Sequence, residues 1–241
     1  MNEHPWVVTS ASGGIGATAL AAGLAGALAE PFGGCLLVDL DLMGGGLDVS
    51  CGLEHLEGLR WPDLADVRGG VDGRRLRREL PARGRCAVLS AGPSRVDPSL
   101  PMPPRAVVDA LVESLPGAGV PVVLDLPRFA PWPAGLVPDP WILMTGTRTR
   151  ELADLDALVT RIDGFLPASE RDRVVFVTTG TPPPPELTEA IEDHLGFAHL
   201  GHIARDRALA RSMESGAWPR GTSHRTVIRR LLDRSRTRGA A

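Results

Sequence analysis

The chain has 241 residues, 43% of them hydrophobic and 23% charged, which suits one α/β domain or two small ones and excludes a disordered or fibrous chain. It contains no Tyr, Gln or Lys and its 26 basic residues are all Arg, so chemistry that needs a lysine amine or a Tyr/Lys dehydrogenase couple is excluded, and proton abstraction falls to carboxylates or the six His. The formal net charge of -3 hides a basic stretch: residues 201–241 carry ten Arg against Asp206, Glu214 and Asp233, which offers a polyanion or acidic surface a partner, or serves solubility.

Trp6-Val7-Val8-Thr9 predicts a short strand that runs into the Ser/Gly loop Ser10–Gly16. A helix follows over about 17–30, rich in Ala and Leu and stopped by Pro31 and Gly33-Gly34. Its apolar run, Ala17–Ala29, is too short to span a bilayer, and no charged-then-apolar leader precedes it. A cytoplasmic protein is expected, with peripheral contact at the inner face of the membrane as a further option. Cys35-Leu36-Leu37-Val38 predicts a strand covered on both faces. It ends at Asp39-Leu40-Asp41 and the glycine loop Gly44-Gly45-Gly46. Residues 56–67 and 72–80 predict short surface helices.

Cys86–Leu89 predicts a strand, 105–115 a helix with Val107, Val108, Leu111, Val112 and Leu115 on one side, and 120–124 a strand ending at Asp125. A proline-rich loop covers 127–138. Strands at 141–144 and 174–178, helices at 151–162 and 186–194, and a short last strand at 200–203 follow. Helices near 206–214 and 225–234 close the chain. Apolar strands alternating with helices imply a doubly wound, mostly parallel sheet with helices on both faces and a ligand at the carboxyl ends of the strands. No repeat or linker divides the chain, so 1–241 is expected to be a single domain, with 222–241 as an Arg-rich C-terminal helix. The three cysteines (Cys35, Cys51, Cys86) lack metal-ligand spacing and fit small core residues in a reducing compartment.

The most informative stretch is Thr9-Ser10-Ala11-Ser12-Gly13-Gly14-Ile15-Gly16-Ala17-Thr18-Ala19. Strand, glycine loop and helix start place several backbone N–H groups and a helix N-terminus around one anion-sized space. Thr18 offers a hydroxyl to Mg²⁺. The same pattern also fits a glycine-rich βα turn that binds nothing. It further fits the dinucleotide turn of short-chain dehydrogenases with Asp39 offered to a ribose, although the missing Tyr/Lys pair excludes a working enzyme of that kind.

Gly13-Gly-x-Gly-x-Thr18, then Leu36-Leu-Val-Asp-Leu-Asp-Leu-x-Gly-Gly-Gly-Leu-Asp48, resembles the deviant Walker A P-loop of the MinD/ParA family of dimerising ATPases, in particular its CpaE/TadZ-like branch beside pilus and secretion genes. Val122-Val-Leu-Asp125-Leu-Pro resembles the family's Walker B strand. Leu200-Gly-His-Ile-Ala-Arg-Asp206 with Ser215-Gly-Ala-Trp-Pro219 resembles a late segment of it. The resemblance covers about residues 6–220. It implies that Ser12, Gly13, Gly14, Ile15, Gly16, Ala17, Thr18 and Ala19 line a site for ATP or ADP. It further implies that Thr18 and Asp125 hold Mg²⁺ and that Asp41 orients the attacking water, while Asp39 is as readily a loop-end cap.

Two departures bear on activity. The family's signature lysine is replaced by Ser12, and the P-loop lysine by Ala17. Phosphoryl transfer depends on charge placed against the breaking bond. Hydrolysis is therefore expected to be weak or absent while binding through backbone N–H groups survives. Arg128, Arg148 or Arg150 offers a substitute cation, or each is a solvated surface arginine. The family's adenine-reading Asn is missing at Thr178-Thr179-Gly180. The resemblance implies a homodimer whose partner is a pilus or secretion ATPase or a division component. A nucleotide-free interaction module and a slow ATPase using Arg are the alternatives. The tail Arg225–Arg234 puts Val227, Ile228, Leu231 and Leu232 on one face. That face either touches a membrane surface, accompanies non-specific DNA contact, or packs on the sheet.

Overall fold

The computed structural model describes residues 4–42, 46–67, 70–92, 103–129, 131–219 and 223–238. Eight strands form one sheet in the order β3-β4-β2-β5-β1-β6-β7-β8. They are β1 (Trp6–Ser10), β2 (Cys35–Asp39), β3 (Ala82–Arg83), β4 (Cys86–Leu89), β5 (Val122–Asp125), β6 (Trp141–Thr145), β7 (Val174–Gly180) and β8 (Ala198–Ala204). All neighbours pair in parallel except β3 with β4.

The helices are α1 (Ala17–Ala29), α2 (Leu47–Cys51), α3 (Gly73–Glu79), α4 (Arg105–Ser114), α5 (Thr149–Asp163), α6 (Pro185–Leu195), α7 (Arg207–Glu214) and α8 (Arg225–Arg238). Alternate residues of each central strand feed two separate cores. Val7, Leu36, Val38, Leu124, Leu143 and Phe176 meet the buried residues of α3, α4, α5 and α6. Val8, Leu37, Val88, Val123, Ile142 and Val177 meet α1, α2 and α8. This period-two division is why the strands read as unbroken apolar runs. Among the described residues no helix is long and apolar enough to cross a membrane.

Helix α1 is apolar nearly all round because it lies between the sheet and α8, whose Val227 and Leu231 are completely buried. The apolar stripe of the tail is therefore spent on the core, and Arg230 and Arg234 fasten the helix by donating to the carbonyls of Leu200 (2.9 Å) and Asp172 (2.7 Å). Residues 222 and 239–241 of the expected helix, and Gly44 and Gly45 of the glycine loop, lie outside the described residues. Cys35, Cys51 and Cys86 are buried free thiols, as expected of small core residues.

The expected surface helix over 56–67 is corrected. Only one 3-10 turn forms there, Trp61–Leu64, and Trp61 is completely buried with its indole N–H donating to the Asp39 carbonyl at 2.7 Å. Leu59, Trp61, Leu64 and Val67 face the core from an irregular segment rather than from one side of a helix. Two short elements, α2 and the edge strand β3, have no counterpart in the expectation.

Candidate functional site

β1, β2 and β5 end side by side, and their loops gather the expected site residues at one edge of the sheet. The strand pairing carries on into the loop after β1, where the Ala11 N–H donates to the Met144 carbonyl at 2.8 Å. Gly14 (φ 71°) and Gly16 (φ 101°) both adopt left-handed backbone, which only glycine accepts at low cost. No heavy atom lies within 4 Å of where a side chain would start on Gly13 or Gly14. The loop is thus an open cradle that leads straight into α1, whose first bond runs from the Leu20 N–H to the Gly16 carbonyl at 3.0 Å. Ser12, Ala17 and Ala19 are buried, Ile15 and Thr18 half-buried, and the three glycines exposed.

Thr18, in the first turn of α1, stands beside Asp125 at the end of β5 and holds its carboxyl down. Asp125 stands in register with Asp39 on the neighbouring β2. Two buried carboxylates side by side are costly to ionise. Burial first, then the charges of Asp39 and Asp41, push Asp125 up to about 7. Burial lifts Asp39 to about 6, against the bonds from Leu47, Ser90 and Asp41 that hold it down. Its carboxylate accepts from the Asp41 N–H (3.0 Å), the Leu47 N–H (2.9 Å) and the Ser90 hydroxyl (3.0 Å). Asp39 is thus the loop-end cap that was one of its two expected roles. Asp41 sits exposed on the rim.

Three residues that sequence reasoning did not place here complete the surroundings. Ser90, at the end of β4, stands 3.0 Å from both Asp39 and the wholly buried Asp48. Arg60 faces Asp48 at 3.6 Å and donates to the carbonyls of Leu53, Leu56 and Gly58. Asp154 of α5 accepts from the Ser12 hydroxyl at 2.7 Å. The links of Ser90 to Asp39 and Asp48, of Arg60 to Asp48 and of Asp154 to Ser12 join residues twelve or more apart in the chain, so no local spacing announces them.

The three candidate arginines separate. Arg148 and Arg150 are exposed at the start of α5. Arg128 is not a solvated surface group. Its Nη1 donates to the Ala11 carbonyl at 2.7 Å and stands 3.5 Å from Asp154, and its guanidinium lies 4.1 Å over the ring of the exposed Phe129.

The donor set suits a divalent ion that is itself bound to an anion. A hydroxyl and two carboxylates with a deficit of positive charge surround the mouth of an N–H-lined cradle, the all-oxygen chemistry that Mg²⁺ prefers when phosphate supplies further ligands. Among the described residues no group of three or more His, Cys, Asp or Glu side chains is placed to hold a metal without such help.

No family model matches the chain. Over 121 residues it is 41% identical to an uncharacterized protein of Mycobacterium tuberculosis, found in two strains. That match takes in 50% of this chain and 32% of the relative, so the chain spans about a third of the length of the curated proteins it matches. Among solved structures, a ParA family ATPase from Chlorobium tepidum superposes with a TM-score of 0.75 at 18% identity, over 96% of this chain and 99% of the other. MinD of Aquifex aeolicus, in a MinC:MinD cell division complex, gives 0.68 at 20% identity over 95% and 96% of the two chains. The septum site-determining MinD of Pyrococcus horikoshii, complexed with Mg-ADP, gives 0.66 at 18% identity over 98% of each. The fold is that of the MinD/ParA P-loop ATPases.

Proposed function

We propose that the chain is a nucleotide-binding regulator of the MinD/ParA-like kind, a single domain that binds ATP or ADP with Mg²⁺ on a lysine-less, degenerate deviant Walker A loop and hydrolyses it weakly or not at all. The observation that carries this reading is an open glycine cradle, with Gly14 and Gly16 in left-handed backbone and Thr18 and Asp125 beside it, whose lysine positions hold Ser12 and Ala17. The cradle's backbone N–H groups and the start of α1 would bind the phosphate oxygens. Thr18 and Asp125 would hold Mg²⁺, which when bound neutralises the phosphate charge. Asp41, on the rim, would order water beside the terminal phosphate.

With no ammonium at either lysine position, the charge that builds on the bridging oxygen goes unmatched, and one such cation is worth about three or more kcal/mol of barrier. The result is a slow switch or a fixed scaffold, working as a homodimer that positions pilus, secretion or septum machinery. The resemblance to the CpaE/TadZ-like branch supports that role.

A second reading, a slow ATPase, is favoured by one contact. Arg128 is fastened to the loop itself through Ala11, and a guanidinium has five N–H donors to share. Titration of a fluorescent ATP analogue with and without Mg²⁺, alongside a phosphate-release assay, tests both readings. Saturable, Mg²⁺-dependent binding with release at background supports the first. Steady release that disappears in Arg128→Ala supports the second. Absence of binding at millimolar nucleotide leaves a nucleotide-free interaction module.

A further inference from the structure

A cavity of about 890 Å³ lies away from the phosphate loop. It lies on the other side of α1, between that helix, α8 and the turn from β3 to β4. Its volume is in the range of small-molecule sites.

The floor is made by what α1 lacks. Gly23 and Gly26 let His224, Ile228 and Trp218 close down on α1, and Ala27, Ile228 and Leu232 border the trough that remains. The Trp218 indole lies across Gly26, so closely that a Cβ there would stand 2.9 Å from its nitrogen, and that nitrogen donates to the Ala22 carbonyl at 3.2 Å. The rim is basic. Exposed Arg85, Arg225 and Arg229 line it, while Arg236 is paired with Asp233 at 3.8 Å and Arg83 donates to the carbonyls of Cys51 and Gly216. Glu30 and Asp233 are the acidic groups there, so the rim carries more positive than negative charge.

A second observation points to a ligand. His224, 4% exposed, is one of the residues lining the cavity. Its Nδ1 has no hydrogen-bond partner and stands over Gly23, 3.4 Å from where a Cβ would be. A buried ring nitrogen left without a partner costs free energy unless something else bonds it.

We propose that the groove between α1 and α8 binds a small organic monoanion with an apolar body. Its carboxylate is held at the rim by Arg225 and Arg229, above the buried His224, and its body lies in the trough against Trp218. Charge complementarity selects an anion, and the apolar floor selects a chain or ring over inorganic phosphate. This site is independent of the nucleotide reading, because its residues are not those of the loop.

The test is isothermal titration of the full chain with decanoate below its micelle concentration, with decylammonium as the charge-reversed control. Saturable one-to-one binding of decanoate and none of decylammonium is expected. Removal of one charged hydrogen-bond partner is worth about tenfold in affinity or more. Arg225→Glu with Arg229→Glu, both exposed and remote from the core, should therefore weaken binding by at least that factor while the melting temperature holds. Ala27→Phe, which fills the trough, should abolish it. Equal affinity in the charge-reversed variant, equal binding of decylammonium, or no binding of decanoate overturns the proposal. Cosedimentation with phosphatidylglycerol vesicles without binding of dispersed decanoate also overturns it, placing the ligand in a membrane surface instead.

Discussion

The Ser12 hydroxyl donates to Asp154 Oδ2 across 2.7 Å, so the position where the resemblance to a deviant Walker A loop implies a lysine is tied to helix α5. Arg128 shares the arrangement, bonded to Ala11 on the loop and 3.5 Å from the same carboxylate. The negative charge of Asp154 opposes an incoming triphosphate. Asp154→Asn keeps the shape and removes the charge. It should tighten nucleotide binding several-fold in a fluorescence titration, at a cost of about 1 kcal/mol in the stability of the loop's anchorage. Unchanged or weaker binding would show that Asp154 acts only as a fastening.

Asp125 and Asp39 give the fold a pH dependence whose sign is fixed. Both carboxyls titrate higher in the folded chain, at about 7 and about 6, than their ordinary 3.8. Between pH 4 and 7 the folded state therefore holds more protons than the unfolded one, and stability falls as pH rises through that window. Asp125→Asn, which keeps the shape and removes the ionisable group, should raise the melting temperature of the ligand-free chain at pH 7.5 by a few degrees. It should also flatten the pH profile and remove any stabilisation by ATP with Mg²⁺. A variant less stable than wild type at pH 7.5 would contradict the assignment of strain to this carboxyl.

Ala17 is the first residue of α1, where the resemblance to a P-loop implies a lysine. Ala17→Lys places an ammonium against the cradle, and phosphate release should rise at least tenfold over wild type, since one well-placed cation is worth about 3 kcal/mol of barrier. Equal release in both proteins would mean that the missing lysine does not limit turnover.

Arg60 faces the wholly buried Asp48. Arg60→Ala strands that charge and removes three bonds to carbonyls, so the chain should lose about 3–5 kcal/mol, read as a shift in urea midpoint. Arg60→Ala with Asp48→Ala should recover a large part of the loss.

The central strands and the glycine cradle were legible because each is written locally, as apolar runs and a Gly-x-Gly spacing; the C-terminal i, i+4 stripe was legible as a face, but what covers it was not. What was not legible depends on distant partners. Residues 56–67 read as a short surface helix, yet Leu59, Trp61, Leu64 and Val67 turn inward from an irregular segment in which the Trp61 indole reaches the Asp39 carbonyl. Arg128 was named as a candidate, but only the packing of α5 beside the loop shows that it is bonded there rather than solvated. Asp154 and Ser90 carry no motif, and their partners lie far away in the chain. β3 has two residues and α2 five, too short for periodicity to show.

The most direct measurement is the melting temperature of the full chain with ATP and Mg²⁺, with ATP and a chelator, and with neither. A ligand that binds the folded form alone stabilises it by about 2.7 kcal/mol at a hundred times its Kd, a rise of several degrees in a chain of this size. The prediction is such a rise with ATP and Mg²⁺, a smaller one with the chelator, and no phosphate released meanwhile. No rise at millimolar nucleotide would show that main-chain amides do not keep a triphosphate once both lysines are gone.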